Sequence, residues 1–179
     1  MLNITIPKQE LYDEKHNTFI YIDEKNICLE HSLVSISKWE SKYQKPFLSN
    51  ENKTVQETID YVRCMTITQN IDPIIYNGLS DDNIKKINDY ISNPMTATTF
   101  YEYKKPINKK ETITSELIYY WMISLNIPME CQRWHLNRLL TLIRIFNVKN
   151  NSEKLSKREI NSRNAALNAA RRKALHTRG

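Results

Sequence analysis

Two short cysteine–histidine pairs are the residues of this sequence whose types and spacing come closest to a metal site. Cys28 and His31 are three residues apart, and Cys131 and His135 are four apart. Two thiolates and two imidazoles form a tetrahedral donor set that zinc uses. An i, i+4 spacing would place Cys131 and His135 on one helix face, but positions 28 and 31 of a strand point to opposite faces. We therefore predict a buried thiol beside a partly exposed imidazole in each place, with no metal and no cofactor.

No other group of residues has the pattern of a catalytic site. Only two glycines occur, Gly78 and Gly179, which argues against a glycine-rich phosphate-binding loop. The sequence has no Gly-x-Ser-x-Gly motif. Its carboxylates lie mainly at predicted helix starts, where a favourable interaction with the helix dipole explains them. We predict that the protein is not an enzyme and has no catalytic residues.

The elements that would position these residues begin with a short β region. Strand-forming residues alternate with polar ones or cluster in 2–6, 19–22 and 27–33. This pattern predicts a small antiparallel hairpin or a three-stranded sheet. Such a sheet is marginally stable alone and needs a helical cover.

Helices are predicted for most of the remaining chain. Leu33 starts a run of apolar residues at a spacing of three, and Thr54 with Glu57 has the pattern of a capping box. Ser80 has the pattern of a helix start, and that helix should end before Pro94. Residues 101–111 are polar and contain a proline, which predicts a surface loop.

The most apolar stretch, 113–146, predicts the centre of the core. Apolar side chains fall on more than one side of residues 113–125, as expected of a central helix. Pro128 should begin a second helix over 129–146, and the two should form an antiparallel hairpin. The predicted fold class is mainly α, a helical bundle with a small N-terminal antiparallel β element and a basic C-terminal helix. The predicted core comprises Trp39, Leu117, Trp121, Trp134, Leu139, Leu140 and Ile143.

Charge is distributed unevenly along the chain. The sequence contains 26 basic and 20 acidic residues, and eight of the basic but only two of the acidic residues lie in 153–179. Residues 1–152 therefore contain 18 of each. We predict a compact α-rich domain with its β hairpin over 1–152 and a basic C-terminal helix over 153–179. Ser156 and Glu159 have the pattern of a capping box at the start of that helix. Such an asymmetry is typical of proteins with a polyanionic or acidic partner.

Three interpretations of the basic helix remain open. It could dock on an acidic protein surface, with apolar side chains seven residues apart as anchors. It could neutralise nucleic-acid phosphates, but no aromatic residue follows Phe146, so it cannot stack on bases. It could also serve only solubility. Protein docking and solubility rank equally, ahead of nucleic acid. The candidate partner-binding residues are Arg158, Ile160, Arg163, Leu167, Arg171, Arg172 and Lys173.

The sequence also indicates where the protein works. Three cysteines without a Cys-x-x-Cys pair predict reduced thiols in a cytosolic setting. The N-terminal residues lack the pattern of a secretory signal, and no apolar stretch approaches the roughly 18 residues that span a bilayer. We expect a soluble intracellular protein without membrane contact.

Four stretches of the sequence, residues 29–50, 95–101, 113–151 and 163–179, together resemble the tail assembly chaperones of tailed bacteriophages. The resemblance implies a protein of the host cytoplasm that holds a long, aggregation-prone tape-measure protein, or another tail protein, while tail tube subunits polymerise. The alternative is a structural virion protein of the tail or neck, whose basic C-terminal helix contacts a neighbouring protein or DNA. Homo-oligomer formation stays open in both cases.

Overall fold

The computed structural model describes residues 1–13, 17–49, 51–100 and 112–152, and eight further residues between 161 and 172. The chain divides into two compact units, Met1–Thr141 and Leu142–Gly179. The fold is mostly helical with a small antiparallel β element at the N-terminus, which confirms that part of the predicted fold class. The described elements are β1 (Leu2–Ile6), β2 (Gln9–Asp13), β3 (Thr18–Ile22), β4 (Lys25–Leu29), α1 (Leu33–Tyr43), α2 (Val55–Met65), a 3₁₀ helix (Pro73–Gly78), α3 (Asp81–Ser92), α4 (Ser115–Ser124), a second 3₁₀ helix (Met129–Arg133) and α5 (Leu136–Ser152).

The four strands form the two halves of one long β hairpin. β1 pairs with β4 and β2 pairs with β3, both antiparallel. Ile4 faces Ile27 in the first half and Leu11 faces Ile20 in the second, so one register runs through both halves. The prediction of a small antiparallel element is confirmed, but it missed β2. It also placed residues 30–33 in a strand, whereas β4 ends at Leu29 and α1 begins at Leu33.

A proline separates the two halves of the hairpin. Pro7 lies between β1 and β2 and has no N–H to donate to the ladder. Lys8 and Asp23 face each other in the interruption, with the ammonium nitrogen 3.9 Å from a carboxylate oxygen. Both side chains are largely exposed, so this ion pair adds little to stability.

The first half of the hairpin belongs to the core of the first unit. Ile4, Ile6, Ile27 and Leu29 are buried, in the alternating pattern of a sheet with one covered face. The second half contacts the 3₁₀ helix Pro73–Gly78.

Gly78 accepts a hydrogen bond from the hairpin at this contact. The side-chain amide of Gln9 donates to the carbonyl of Gly78 over 2.5 Å, and a Cβ at that position would collide with the same amide. Any side chain at position 78 would have to displace the Gln9 amide, so glycine keeps this hydrogen bond in place.

Local capping signals placed the helix starts correctly. The Thr54 hydroxyl accepts from the backbone N–H of Glu57, whose carboxylate accepts from the N–H of Thr54, so the predicted capping box is confirmed. Ser80 caps α3 as predicted, because its hydroxyl accepts from the N–H of Asn83. The predicted loop 101–111 and the predicted capping box at 156–159 lie outside the described residues.

The predicted core is correct for Trp39, Leu139 and Ile143, which are buried. The prediction is wrong for four other residues, which are only partly buried: Leu117, Trp121, Trp134 and Leu140. Leu117 and Trp121 are partly exposed because α4 turns a different face to the core. Its buried residues are Ser115, Ile118 and Met122. Tyr120 and Ile123 are exposed, so α4 is a surface helix despite apolar residues on several sides.

The predicted helix over 129–146 is interrupted. Met129–Arg133 is a 3₁₀ helix, Trp134 is extended, and α5 begins only at Leu136. A competing backbone interaction explains the interruption, because the N–H of Leu136 donates to the carbonyl of His31 over 2.7 Å. In a continuous helix the N–H of Leu136 would donate to the carbonyl four residues earlier, but here it donates to the segment before α1 instead.

We expect Trp39→Ala to lower the free energy of unfolding by about 3–5 kcal/mol, the usual loss for a buried tryptophan. Trp39 is 1% exposed, its ring packs edge-on against Phe47, and its indole N–H donates to the carbonyl of Glu57. Trp121→Ala should cost clearly less, because Trp121 is only partly buried. Urea unfolding of both variants tests this order, and equal losses would show that α4 lies deeper than the structure places it.

Candidate functional site

The structure describes one of the predicted partner-binding residues, Arg172, which is helical and exposed. The other six lie outside the described residues: Arg158, Ile160, Arg163, Leu167, Arg171 and Lys173. The eight described positions between 161 and 172 are all helical. Seven of them are exposed and Ala166 is half-buried. The described positions therefore have the character of a solvated helix, and the contribution of the predicted residues stays a prediction.

The structure brings together two histidines that the sequence placed in separate pairs. The rings of His31 and His135 meet edge to face, with centroids 5.1 Å apart, and they are 2% and 4% exposed. The predicted partly exposed imidazoles are therefore wrong. The two rings lie where the segment before α1 pairs with the residue before α5.

Each buried histidine has a defined hydrogen-bond partner. The Nδ1 atom of His31 lies 2.5 Å from the hydroxyl of Tyr61. The Nδ1 atom of His135 accepts from the N–H of Asn137 at 3.3 Å, and its Nε2 lies 3.0 Å from the carbonyl of Tyr90. A neutral His135 with its proton on Nε2 fits both contacts. These histidines join α2, α3 and the start of α5 to the segment before α1.

Burial sets the charge of this cluster. Burial lowers the pKa of His31 to about 3, and the neighbouring His135 acts in the same direction. Burial also lowers the pKa of His135. The Tyr90 hydroxyl donates to the Glu30 carboxylate over 2.6 Å, and burial raises the pKa of Tyr90. Both imidazoles are therefore neutral at pH 7, and the cluster is a structural polar network inside the core.

The geometry differs from the predicted cysteine–histidine arrangement. Cys131 lies in the 3₁₀ helix Met129–Arg133 and His135 lies beyond its end, so they do not share an α-helical face. The prediction of a buried thiol is confirmed for Cys131 and is wrong for Cys28, which is only half-buried. Within the described ranges, no three histidine, cysteine, aspartate or glutamate side chains are placed to hold a metal ion. The absence of a metal stays a prediction.

A second polar cluster joins α1 to α2. The buried carboxylate of Asp60 accepts from the Tyr43 hydroxyl at 2.5 Å and pairs with Arg63 at 3.1 Å and with Lys42. Burial acts to raise the pKa of Asp60, but the hydrogen bonds and cations outweigh it and lower that pKa to about 2. The same hydrogen bond is the main reason that the pKa of Tyr43 rises to about 12. Every acceptor of this carboxylate has a partner, which is typical of a structural link.

The second half of the hairpin has an exposed aromatic face that was not predicted from the sequence. Tyr12, Phe19 and Tyr21 are 52%, 60% and 72% exposed. Tyr12 faces Phe19 across the ladder with ring centroids 5.2 Å apart, and Tyr21 faces Glu10. A hydrogen bond to the Glu10 carboxylate raises the pKa of the Tyr21 hydroxyl. The signal in the sequence was the apolar run 19–22, but a run without alternation does not tell which face the rest of the protein covers.

Comparison of the chain with protein-family models, with curated proteins and with solved structures finds no match. No helix in the described part of the chain is long and apolar enough to cross a membrane.

We expect the free energy of unfolding to fall as pH drops from about 6.5 towards 3, because the unfolded chain protonates a histidine that stays neutral when folded. One pKa unit corresponds to about 1.4 kcal/mol. The loss should therefore amount to a few kcal/mol, and urea unfolding at several pH values measures it.

His31→Asn should reduce this slope, because asparagine can hydrogen-bond near the Nδ1 position without titrating. The slope should not vanish, since the pKa of His135 is also lowered. Asp60→Asn is the matched control. Stability from Asp60 is present above pH 3.8 and is lost as pH falls towards 2, so this variant should keep the slope above pH 4. A wild-type stability that is constant between pH 7 and 4 would contradict the prediction.

Proposed function

We propose that this protein is a non-catalytic tail assembly chaperone of a tailed bacteriophage, which binds a tape-measure protein or another tail protein through its basic segment 153–179. The observation that carries the proposal is the segregation of charge. Residues 153–179 have a net charge of +6, and residues 1–152 are balanced. A docking element of this kind can attract an acidic partner while the rest of the chain stays neutral.

The polar clusters of the first unit are consistent with a body whose role is to fold and support such an element. The buried groups of His31, His135 and Asp60 all have partners within the core. Burial lowers the pKa of both histidines, and hydrogen bonds and ion pairs lower the pKa of Asp60. These causes explain the three shifts without a substrate. The described residues of the basic segment are largely exposed, which suits a segment that meets another molecule.

Arginine is the major cation of the segment, with five arginines and three lysines. The planar guanidinium group can bind a carboxylate through two parallel hydrogen bonds, so arginine favours specific docking on an acidic surface. Ile160 and Leu167 are seven residues apart and would lie on one face of a continuous helix. The proposed contact therefore combines electrostatic attraction with a narrow apolar stripe.

We expect the triple variant Arg171→Gln, Arg172→Gln and Lys173→Gln to weaken binding to the co-expressed tape-measure protein at least tenfold at low salt. The difference should shrink as salt rises, because the Debye length falls from about 10 Å at 0.1 M to about 3 Å at 1 M. Ile160→Ser with Leu167→Ser should weaken binding without changing the salt dependence. Binding isotherms at a series of salt concentrations distinguish the two contributions.

A matched control removes three charges from the first unit instead. Lys38, Lys85 and Lys86 are exposed, and their replacement by glutamine changes the net charge by the same amount. This control should bind as tightly as the wild type. If it weakens binding as much as the variant of the basic segment, net charge alone drives the interaction and the proposed docking element is wrong.

Analysis of purified particles decides between the two functions that the resemblance leaves open. An assembly chaperone should be present in infected cells but missing from mature particles, because it leaves when the tail is complete. A structural tail or neck component should instead be present in a fixed ratio to the tail tube protein. Quantitative mass spectrometry of purified virions measures this ratio, and a constant stoichiometric amount would overturn the chaperone proposal.

A further inference from the structure

Asn77 and Gly78 form the only asparagine–glycine pair in the sequence. They are the last two residues of the 3₁₀ helix Pro73–Gly78, and Asn77 is exposed to water. Glycine hinders attack on a preceding asparagine less than any other residue does, because it has no Cβ. The pair therefore has the chemistry of a site for spontaneous deamidation.

The reaction needs only water as a co-reactant. The backbone nitrogen of Gly78, after losing its proton, attacks the Cγ atom of Asn77 and forms a cyclic succinimide. The bond from Cγ to Nδ2 breaks, and this nitrogen leaves as ammonia with the proton. Water then adds to either ring carbonyl and opens the ring. The product is aspartate or isoaspartate, and nothing is oxidised or reduced.

The folded backbone holds the pair away from this reaction. In a 3₁₀ helix each N–H is directed to the carbonyl three residues earlier, so the Gly78 nitrogen is engaged while the last turn is closed. Ring closure also requires the ψ angle of Asn77 to leave its helical value. The attack therefore has to wait until this turn opens.

Two hydrogen bonds decide how easily the turn opens. The N–H of Leu79 donates to the carbonyl of Tyr76 over 3.4 Å, which is long for such a bond. The side-chain amide of Gln9 in β2 donates to the carbonyl of Gly78 over 2.5 Å. The hairpin therefore supplies the stronger restraint on the weak end of this helix. We infer that Asn77 is a deamidation site whose rate is set by the release of Gly78 from Gln9.

The modification acts in turn on the hairpin. An isoaspartate adds one carbon to the main chain directly before Gly78, which shifts the carbonyl that Gln9 binds. Side-chain atoms of Gln9 and Ile22 lie nearest to the Cβ position of this glycine, and β3 contacts the same 3₁₀ helix. Deamidation therefore loosens the second half of the hairpin from the helix. This inference goes beyond the proposed function and does not rest on it.

The test incubates the full-length chain in mildly alkaline buffer below its unfolding temperature. Peptide mapping by mass spectrometry measures the fraction of aspartate and isoaspartate at position 77 over time. We expect the folded wild type to deamidate there, but more slowly than the same chain in urea. Asn70 should stay intact in the folded chain, because it is also exposed but is followed by the β-branched Ile71.

Gln9→Ala should raise the rate in the folded chain about fivefold. This factor corresponds to about 1 kcal/mol, the usual net contribution of a hydrogen bond. In urea this variant and the wild type should react at the same rate. Asn77→Gln should abolish the reaction at this position, because glutamine would have to form a larger ring.

Ile36→Val is the matched control. It removes one carbon from a buried side chain of α1, lowers overall stability by a similar amount and should leave the rate at Asn77 unchanged. If it accelerates the reaction as much as Gln9→Ala, deamidation follows global unfolding and the inference is wrong.

Hydrogen exchange tests the effect on the hairpin. The isoaspartate form, separated by ion exchange, should lose protection in residues 9–13 and 18–22 and keep it in residues 2–6 and 25–29. Unchanged protection in all four strands would overturn the proposed loosening.

Two further results would overturn the proposed control of the rate. One is a folded chain that stays unmodified at Asn77 in both the wild type and Gln9→Ala while the chain in urea reacts. The other is an equal rate in the folded wild type and in Gln9→Ala. All measurements use the pure protein, so they are independent of whether a tail protein binds to the basic segment.

Discussion

The backbone of residues 28–32 is the constraint on which the first unit depends. This short segment begins in β4, which pairs with β1. It also pairs with Thr66, just after α2, and with His135, just before α5. Buried backbone groups must find partners, so three distant parts of the chain are fixed relative to one another by this segment. The hydrogen bonds are Ile67 N–H to Cys28 O (2.8 Å), Glu30 N–H to Met65 O (2.9 Å) and Leu136 N–H to His31 O (2.7 Å).

The side chains of the same segment extend this arrangement into the core. His31 contacts Tyr61 from α2 and His135 from the residue before α5, and Glu30 accepts a hydrogen bond from Tyr90 of α3. A polar residue in a core is stable only when its donors and acceptors are matched. Matching these groups requires all three helices to be in place at once. The network therefore favours one arrangement of the helices over other apolar packings, at the cost of sensitivity to acid.

The sequence predicted a helix correctly where its capping or spacing signal lies within a few residues of the helix start. The caps at Thr54 and Ser80 and the apolar spacing of α1 are of this kind, and the structure confirms them. The meeting of His31 with His135 joins residues 104 positions apart, and no local pattern encodes it. The break before α5 has the same origin, because the competing carbonyl belongs to His31. The distribution of charge in the sequence indicated the basic segment as a candidate binding site. Which face of the hairpin is exposed can be seen only in the fold.

Charge and exposed rings occur together on the second half of the hairpin. Residues 9–24 contain five acidic residues and one lysine, although residues 1–152 as a whole are balanced. Tyr12 in β2 and Phe19 and Tyr21 in β3 are exposed, and Glu10 faces Tyr21 across the ladder. Exposed rings cost solubility unless charge accompanies them, and acidic residues are effective in that role. Glu10 faces Tyr21 and so places a negative charge beside the exposed rings.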